Sequence, residues 1–449
     1  MPGRAGSLFL RRHGLPGEVV IRSLSELRAA SPICLSLKCY FERRGRLQIS
    51  QGGAAVTATS GASCKIAPRA EVHCGGAEVI DRFAAEWRTL CEQGPSEYPF
   101  YRPEWIRAHV RAFAPHSRVI LITARAGGRL AAVLPLVEET GFYCGLPVRK
   151  LRGAANWHSC RFDLVRTEGP EGDAAVLSVW ESLRLLPDWH LLELSDVPQA
   201  GALEQLVCAA RAAGFPVGRS ASIRSPYVPI AADGNVEEWW PDRASGKFRK
   251  DLRRAARNLN AQGEVRLSRV SEASAEILKQ FYELERSGWK GREGTAIACS
   301  PATQQFYDEI TREAQRFGYL SFYFLECSNH ALAAHFGLSY RGRYFMPKVA
   351  YDEQYERYAP GHLLMGAILR DCVKRGIREY DCLGPDQSWK MKWTTAVRPH
   401  SCFYIFRNGL YPQALWAARF RALPVIRKVL SRYRLRAQET PDVHSRKPS

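Results

Sequence analysis

The sequence predicts an α/β protein in which one mixed-sheet layout occurs twice along a chain of 449 residues. Helical periodicity alternates with short strand-like runs through the middle of the chain. The order helix, strand, strand, helix, strand appears first between residues 103 and 194 and again between residues 301 and 383. Corresponding elements lie roughly 190–200 residues apart, which is too long for a solenoid repeat and fits a duplicated domain.

In the first copy, the apolar spacing predicts elements from residue 79 onward, and the pair Gly127-Gly128 marks a hairpin turn. The predicted elements are helices Val79–Cys91, Pro103–Phe113 and Asp173–Leu186 and strands Val119–Arg125, Leu130–Glu138 and His190–Leu194.

The second copy has the same order with one more strand, Tyr344–Tyr351, before its second helix, and it ends in a cluster of lysine and tryptophan. The predicted elements are helices Pro301–Gln315 and His362–Arg375 and strands Leu320–Cys327, Ala331–Tyr340, Tyr344–Tyr351 and Arg378–Leu383. We expect an N-terminal domain over 76–235 and a C-terminal domain over 236–410. The helix of the first copy begins with Glu171-Gly172-Asp173 and that of the second with Pro360-Gly361, so we expect only the second to be catalytic.

Bulk composition is that of a globular protein, with 46% hydrophobic and 24% charged residues. No apolar run approaches the roughly 18–20 residues that span a bilayer, and no apolar segment follows Arg11 and Arg12 as a signal peptide requires. Thirteen cysteines without a Cys-x-x-Cys pair argue against a secreted disulfide framework. We therefore expect a cytoplasmic protein.

The net charge of +19 resides mainly in the two ends of the chain. Residues 1–75 carry 11 Lys/Arg against 4 Asp/Glu, and residues 411–449 carry 9 against 2, which leaves 44 against 39 for the body. This distribution argues against a DNA-binding core. Residues 1–75 show no sustained periodicity, and we expect them to be a disordered extension.

Two further basic segments have alternative interpretations. In Ser245–Asn260, Arg249, Arg253 and Arg257 form one stripe of a predicted helix. This stripe is either a solvated face or a contact for phosphate or another polyanion. The segment 411–436 mixes apolar residues such as Trp416 and Phe420 with arginines. It either lies peripherally on the inner face of an anionic membrane or docks as a terminal helix on the body.

Four motifs resemble one known family. They are the basic segment at 245–260, Tyr351-Asp352 followed by Ala359-Pro360-Gly361-His362-Leu363-Leu364, Gly376 followed by Glu379-Tyr380-Asp381-Cys382-Leu383-Gly384, and Lys390 before Trp393. In order and spacing they resemble the GNAT-fold acetyltransferases of the CelD type, named for bacterial cellulose biosynthesis. More distantly, the chain is similar to the FemAB aminoacyl transferases.

This resemblance implies tandem GNAT-like folds, with acetyl-CoA or another acyl-CoA as the donor. The FemAB similarity implies aminoacyl-tRNA as the alternative donor. The usual GNAT pyrophosphate signature, Gln/Arg-x-x-Gly-x-Gly/Ala, is reduced here to Pro360-Gly361. The acceptor would be a saccharide or another small molecule.

The candidate site residues follow from the chemistry of acyl transfer, which needs a bound donor, a deprotonated acceptor and a stabilised oxyanion. Pro360, Gly361, His362, Leu363 and Leu364 form the start of a helix that can bind donor phosphates through its N–H groups. Asp381 is the candidate proton acceptor, although an aspartate before Leu-Gly is also a common turn residue.

The remaining candidates are cationic or aromatic. Lys390 is a candidate for neutralising a phosphate, a carboxylate or the oxyanion, and Tyr344 for protonating the leaving thiolate; a surface position and simple strand packing are the respective alternatives. Arg249, Arg253 and Trp393 are candidates for contacts with the substrate or its phosphates. His158-Ser159-Cys160 lacks a second ligand pair at zinc spacing, so we expect no metal.

The leading hypothesis is an acyl-CoA-dependent N- or O-acyltransferase that works by direct transfer on a sugar, a polysaccharide precursor or a small amine. A FemAB-like transferase that uses aminoacyl-tRNA is the second hypothesis, and the balanced charge of the body counts against it. A non-enzymatic accessory protein of polysaccharide biosynthesis is the third. The sequence does not predict the acceptor, because acceptor pockets of such folds are built from loops.

Overall fold

The computed structural model describes residues 67–231 and 244–426. The strands among these residues are β1 (Arg69–Gly75), β2 (Val119–Ala126), β3 (Arg129–Tyr143), β4 (Leu146–Gly153), β5 (Val165–Arg166), β6 (Leu191–Pro198), β7 (Val217–Pro229), β8 (Val265–Val270), β9 (Phe322–Cys327), β10 (His330–Tyr340), β11 (Arg343–Tyr351), β12 (Glu379–Asp381) and β13 (Val397–Phe406).

The α-helices are α1 (Glu78–Gln93), α2 (Pro103–Phe113), α3 (Gly169–Leu185), α4 (Ala202–Ala212), α5 (Gly246–Asn260), α6 (Ala275–Ser287), α7 (Trp289–Arg292), α8 (Pro301–Arg316), α9 (Pro360–Lys374) and α10 (Leu410–Ala417). Proline occupies the first turn of α2, α3, α8 and α9, where its missing N–H costs no helical hydrogen bond. Among the described residues, no helix is long and apolar enough to cross a bilayer.

In the described residues, 13 strands form one mixed sheet with the order β1-β2-β3-β4-β6-β13-β7-β12-β11-β10-β9-β8, and β5 pairs with β3. Within each half, antiparallel strands lead to one parallel pair, β4 with β6 and β11 with β12. Each parallel pair is joined over three residue pairs only and then separates. The predicted repeat of one layout is therefore confirmed.

The two halves share this sheet through β7 and β13. Strand β13 pairs with both β6 and β7, and β7 pairs with β12. A strand from the C-terminal part of the chain thus completes the sheet of the first half. The division of the chain into domains over 76–235 and 236–410 stays a prediction.

Helices cover both faces of the sheet. On one face, α1 and α2 of the first half meet α6 and α8 of the second in one continuous core, where the rings of Trp105 and Phe306 lie 5.2 Å apart. On the other face, α3 and α4 cover the first half, and α5 and α9 cover the second. The first core therefore runs across both halves of the sheet.

Several predicted boundaries were wrong. Residues 1–66 of the predicted extension lie outside the described residues, but Arg69–Gly75 forms the edge strand β1, whose alternation is masked by its polar side chains. Helix α3 begins at Gly169, four residues before the predicted Asp173, because Gly169 adopts a φ of +76° and Pro170 starts the helix.

The segment after β13 docks on the body, as one of the two interpretations of 411–436 predicted. Leu415 is buried, and the ring of Phe420 packs against Tyr404 at 5.6 Å. Trp416 Nε1 donates a hydrogen bond to the carbonyl of Val217 at 3.3 Å. These aromatic side chains therefore face the sheet. Residues 427–436 of the predicted segment lie outside the described residues.

Candidate functional site

A cavity of about 740 Å³ occupies the space where β11 and β12 separate. Strand β12 ends at Asp381, whereas β11 continues to Tyr351. Leu383 and Gly384 then adopt φ values of +50° and +58° and turn the chain away from β11. The edge of β11 beyond Phe345 is thereby left without a neighbouring strand from β12, and this separation opens the cavity.

The N-terminus of α9 lies at this cavity. Ala359 adopts a left-handed conformation with φ 49° and ψ 49°, and Pro360 follows as the first helical residue. Among the described residues, no side chain caps this terminus. A Cβ atom built on Gly361 would meet only Tyr351 Cδ1, at 3.9 Å. An uncapped helix N-terminus beside a cavity is a favourable position for an anionic group such as a phosphate.

Of the five predicted donor-binding residues, Pro360, Gly361 and His362 line the cavity. Leu364 is fully buried in the core beneath α9, and Leu363 packs partly against the same core. The last two therefore anchor the helix, and their side chains are placed for packing. Leu363 and Leu364 were predicted because they belong to the Pro-Gly motif. A sequence motif cannot distinguish residues whose backbone N–H groups bind a ligand from residues whose side chains pack the helix against the core.

The side chain of His362 is held in place by a hydrogen bond from Trp393. Its Nδ1 atom accepts a hydrogen bond from Trp393 Nε1 at 3.1 Å. Burial, together with the nearby Lys392, lowers the pKa of His362 to about 4, so the imidazole is neutral near pH 7. Trp393 is buried, and among the described residues it is not part of the cavity lining. Its position supports His362 and gives no direct contact with a ligand in the cavity.

Lys390 lines the cavity and is almost fully buried. Its ammonium donates hydrogen bonds to the carbonyls of Leu383 at 2.6 Å and Pro385 at 3.2 Å, and burial lowers its pKa. An ammonium has three N–H donors, so these two bonds leave one for a ligand. The predicted lysine is therefore in the site, and it also fixes the turn that opens the cavity.

The geometry argues against Asp381 as a proton acceptor. Its side chain is completely buried and, among the described residues, does not belong to the cavity lining. One carboxylate oxygen pairs with Arg161 at 2.9 Å and Arg398 at 3.3 Å, and the other accepts from the N–H of Leu383 at 2.9 Å. Asp381 therefore joins the two halves through a buried ion pair.

Tyr344 is likewise a core residue and lies outside the described cavity lining. Burial raises its pKa well above the usual value, and its hydroxyl has no hydrogen-bond partner among the described residues. A Cβ atom at Gly337 would lie 2.1 Å from this hydroxyl, which shows how tightly the ring is enclosed. The packing alternative fits this geometry better than protonation of a thiolate.

The basic helix α5 lies next to the donor side of the cavity. Ser245 caps it, and Leu252 and Leu259 are buried. Phe248 packs against His362 and Trp393, each at 5.2 Å. Arg253 and Arg257 are exposed, and Arg249 is half-buried. Within the described chain, none of these arginines belongs to the cavity lining. Any contact with a ligand would involve a part that extends beyond the cavity.

A buried charge cluster, which the sequence did not reveal, lies on the cavity wall. Lys348 of β11 and Lys290 of α7 approach the same carboxylate oxygen of Glu285, at 3.8 and 2.9 Å. The other oxygen of Glu285 accepts from the N–H of Ile297 at 2.8 Å. Burial lowers the pKa of Lys348 to about 8, although Glu285 opposes this shift. A side chain that titrates near neutral pH in a cavity is suited to proton transfer.

The first half supplies the facing wall of the cavity through the loop after β4. Trp157, His158 and Cys160 of this loop line the cavity. The Lys348 ammonium lies 4.7 Å from the centroid of a Trp157 ring, and His158 Nδ1 is 3.2 Å from the hydroxyl of Tyr307. No local pattern in the sequence marks these residues, because they meet β11 only through the tertiary fold. Both halves therefore line the cavity.

Comparisons with known proteins found one family model and several similar folds. Residues 246–391 match a family model described as an acetyltransferase (GNAT) domain, a range that includes β11, α9, β12 and Lys390. No curated protein sequence matches the chain. The fold resembles that of FemX, with a TM-score of 0.51 and 12% identity over 77% of this chain and 100% of that chain.

Two other solved structures are similar at lower scores. The C-terminal domain of a putative lysylphosphatidylglycerol synthetase from Agrobacterium fabrum has a TM-score of 0.47 and 11% identity over 76% of this chain and 96% of its own. A tandem GNAT protein from the clavulanic acid biosynthesis pathway has a TM-score of 0.40 and 15% identity, over 75% and 98%.

The chain thus has GNAT-like folds on a mixed α/β sheet, as predicted. The match of residues 246–391 supports an acyltransferase. The finer resemblance to the CelD type stays a prediction.

Proposed function

We propose that the protein is an acyl-CoA-dependent N- or O-acyltransferase that transfers an acyl group directly to a saccharide or another small acceptor. The observation that carries this proposal is the cavity between β11 and β12 with the uncapped N-terminus of α9 beside it. A cavity of this kind can take an elongated thioester, while the helix terminus takes the negative charge at its other end.

In this proposal the donor diphosphate lies at the first turn of α9, next to Gly361 and His362. Gly361 has no side chain to obstruct the approach, and Pro360 fixes the start of the helix. The pantetheine arm would run along the edge of β11 that β12 leaves open. The remaining N–H of Lys390 would donate to the oxyanion or to a phosphate, because its other two donors hold the neighbouring turn.

The transfer would proceed in one complex of donor and acceptor. The acceptor nitrogen or oxygen attacks the thioester carbonyl carbon, the C–S bond breaks, and CoA leaves as a thiolate that takes up a proton. We assign the proton acceptor for the nucleophile to Lys348, because this residue lines the cavity and a fraction of its side chain is neutral near pH 7. This assignment replaces Asp381, whose carboxylate is engaged in the junction between the halves.

The acceptor would enter on the side of Trp157 and Trp289, two exposed aromatic side chains that line the cavity. Their rings offer apolar faces beside the charged cluster of Glu285, Lys290 and Lys348. Such a surface suits an acceptor that has both an apolar face and polar groups, which a sugar ring and many small amines have. Acetyl-CoA is the donor to be tested first.

Calorimetric titration with acetyl-CoA tests the donor site. We expect one site per chain and a loss of affinity of about 30-fold or more in Gly361→Trp, because an indole would occupy the space of the diphosphate. Glu171→Trp is the matched control, since Glu171 follows the proline of α3 as Gly361 follows that of α9. No binding by the folded wild-type protein, or equal binding by Gly361→Trp, would contradict the proposal.

A FemAB-like transfer from aminoacyl-tRNA is the second candidate. The exposed basic face of α5 favours it, because α5 packs beside His362 at the donor end of the cavity. In that case a triple Arg→Glu change at 249, 253 and 257 would abolish salt-sensitive binding of tRNA, and Lys279→Glu on α6 would not. Binding that is insensitive to both changes would remove this candidate. For the third hypothesis, a non-enzymatic accessory protein, any acceptor-dependent release of CoA is the excluding result.

A further inference from the structure

His335 of β10 is one of the histidines that line the cavity. It is almost fully buried, with 2% of the residue exposed. A histidine in the interior of a strand is commonly a core residue whose ring nitrogens both have hydrogen-bond partners. His335 differs from this pattern, because only one of its nitrogens has such a partner among the described residues. The second nitrogen is therefore a candidate for contact with a ligand in the cavity.

The two ring nitrogens of His335 have different surroundings. Nδ1 lies 3.3 Å from the hydroxyl of Tyr380, whereas Nε2 has no hydrogen-bond partner among the described residues. The polar atoms that are enclosed in the described interior without a partner include both ring nitrogens of His109 and of His400, but not Nε2 of His335. Because His335 lines the cavity, Nε2 is accessible from there.

Tyr380 determines which nitrogen of His335 carries the hydrogen atom. Its hydroxyl donates a hydrogen bond to Met346 Sδ at 3.0 Å. A thioether sulfur can only accept, and a hydroxyl has one hydrogen to donate. The hydroxyl oxygen therefore accepts the bond from His335, which places the hydrogen on Nδ1. Burial lowers the pKa of His335 to about 3, with a smaller contribution from Lys290, so the ring is neutral near pH 7. Nε2 is thus an unprotonated acceptor.

His335 lies on the face of the sheet that α9 covers. Its contacts Tyr380 and Met346 belong to the core beneath α5 and α9. Phe336, the next residue of β10, belongs to the core on the opposite face, because successive side chains of a strand alternate between the two faces. Lys348 lies directly opposite Phe336 in the strand register and therefore shares its face. His335 and Lys348 thus line the cavity from the two faces of the sheet.

We propose that His335 is a donor-binding residue, whose Nε2 accepts a hydrogen bond from an amide N–H of the pantetheine arm. This inference rests on the proposed acyl-CoA-dependent transfer and adds a contact to the same donor. The arm has two amide groups between the diphosphate and the thioester, and an amide N–H is the kind of donor that an unprotonated ring nitrogen needs. The bond would hold the arm on the α9 face, from which the thioester crosses to Lys348.

Calorimetric titration of the full-length protein with two ligands tests this inference. Acetyl-CoA contains the pantetheine arm, and 3′-phospho-ADP is the nucleotide end of CoA without it. His335→Leu should bind acetyl-CoA about tenfold more weakly than the wild-type protein, because one hydrogen bond is lost. Its affinity for 3′-phospho-ADP should be unchanged. His335→Gln should bind acetyl-CoA within about threefold of the wild-type affinity, since its amide oxygen can accept the same bond.

The control is His109→Leu, which replaces a buried histidine outside the described cavity lining. It should bind both ligands like the wild-type protein, and circular dichroism should confirm that all variants are folded. Unchanged affinity of His335→Leu for acetyl-CoA would overturn the inference, and so would an equal loss for both ligands. If the folded wild-type protein binds neither ligand, the acyl-CoA donor and this inference are both wrong.

NMR of the imidazole nitrogens tests the same contact in the wild-type protein. The His335 signals can be assigned by their loss in His335→Gln. We expect the hydrogen on Nδ1 and an unprotonated Nε2 in the free protein. The Nε2 signal should move toward that of a hydrogen-bonded nitrogen when acetyl-CoA is added, and it should stay in place with 3′-phospho-ADP. A hydrogen on Nε2 in the free protein would overturn the inference.

Discussion

The two parallel strand pairs of this molecule have the same register pattern, but the chain takes a different path after each of them. In the first half, the chain after β4 turns back into the space beside β6. A Cβ atom on Gly153 would lie 2.6 Å from the ring of Phe162, and the N–H of Phe162 donates to the carbonyl of Asp196 at 3.2 Å. Phe162 thus fills the opening that the second half keeps as a cavity of about 740 Å³.

A smaller crevice of about 480 Å³ remains in the first half, and its charges are already paired. Lys150 lies 3.4 Å from Glu139 and 3.6 Å from Glu193, and Arg152 lies 3.1 Å from Glu139. The cavity of the second half also contains ion pairs, but it keeps an open helix terminus beside them. The crevice of the first half and the cavity of the second half therefore differ mainly in whether a helix N-terminus is free to bind an anion.

The helices after the two strand pairs show this difference most clearly. Both have proline in the first turn, but that of α3 also contains Glu171. A Cβ atom on Gly172 of α3 would lie 1.9 Å from the carbonyl oxygen of Thr167. The first turn of α9 has no acidic residue, and the space around Gly361 is open. One layout can thus hold an anion or exclude it, depending on one side chain and the path of the preceding loop.

The largest expected effect comes from Lys348, which lines the second opening and is the proposed proton acceptor. Lys348→Met should lower kcat by about 10²–10⁴-fold, because the proton of the acceptor would lose its recipient. The measurement is thiol release from acetyl-CoA with an acceptor identified by screening. Lys279→Met, an exposed lysine of α6, is the control. Activity of Lys348→Met near the wild-type level would remove Lys348 from the reaction.

The next prediction concerns the ion pair that joins the halves. Asp381→Asn should lower the free energy of unfolding by about 3–5 kcal/mol, because Arg161 would remain buried without a full counter-charge. Urea denaturation measures this loss. The kcat of the folded variant should stay within about threefold of the wild-type value. A kcat that falls about 100-fold without a loss of stability would restore Asp381 as the proton acceptor.

Removing the ring of Phe162, which fills the space beside β6, tests whether an open cavity is sufficient to form a donor site. Phe162→Ala should cost about 3 kcal/mol of unfolding free energy, since a buried ring is removed. We expect no second CoA site by calorimetry, because the first turn of α3 would still carry Glu171 and face the carbonyl of Thr167. If the number of CoA molecules bound per chain rises from one to two, the ring of Phe162 alone prevents binding in the first half.

The smallest expected effect is a pH dependence. Burial lowers the pKa of Lys348 to about 8, so the neutral form increases as the pH rises through that value. Turnover should therefore rise about tenfold between pH 7 and pH 9 and then level off. The rate profile should lose this limb in Lys348→Arg, since arginine stays protonated over the whole range. A rate that falls through pH 8, with full rescue by arginine, would instead indicate that Lys348 acts as a cation.

Local signals in the sequence predicted most of the helices and strands and the repeat itself. Helix α2 was predicted with its observed bounds because Pro103 starts a clear amphipathic pattern. The start of α9 at Pro360-Gly361 was predicted because this pair is a local signature of a helix start, and the structure places it beside the cavity. Strand β1 was missed, since an edge strand with polar side chains has little apolar alternation.

The partners across the fold could not be predicted in the same way. Asp381 is 220 positions from Arg161 in the sequence, so its burial in an ion pair leaves no local trace. Glu285 and Lys348 likewise come from a helix and a strand that meet only in the folded chain. A residue type in the sequence therefore indicates a backbone feature such as a helix start, but it does not indicate the surroundings of a buried side chain.

A crystal structure of the protein soaked with acetyl-CoA tests the proposed donor site most directly. We predict one CoA per chain, with its diphosphate at the first turn of α9 and its thioester between β11 and β12, close to Lys348. The space beside β6 should hold no CoA. A diphosphate bound at the first turn of α3 would contradict this donor site. CoA bound elsewhere on the protein, with the cavity between β11 and β12 empty, would contradict it as well.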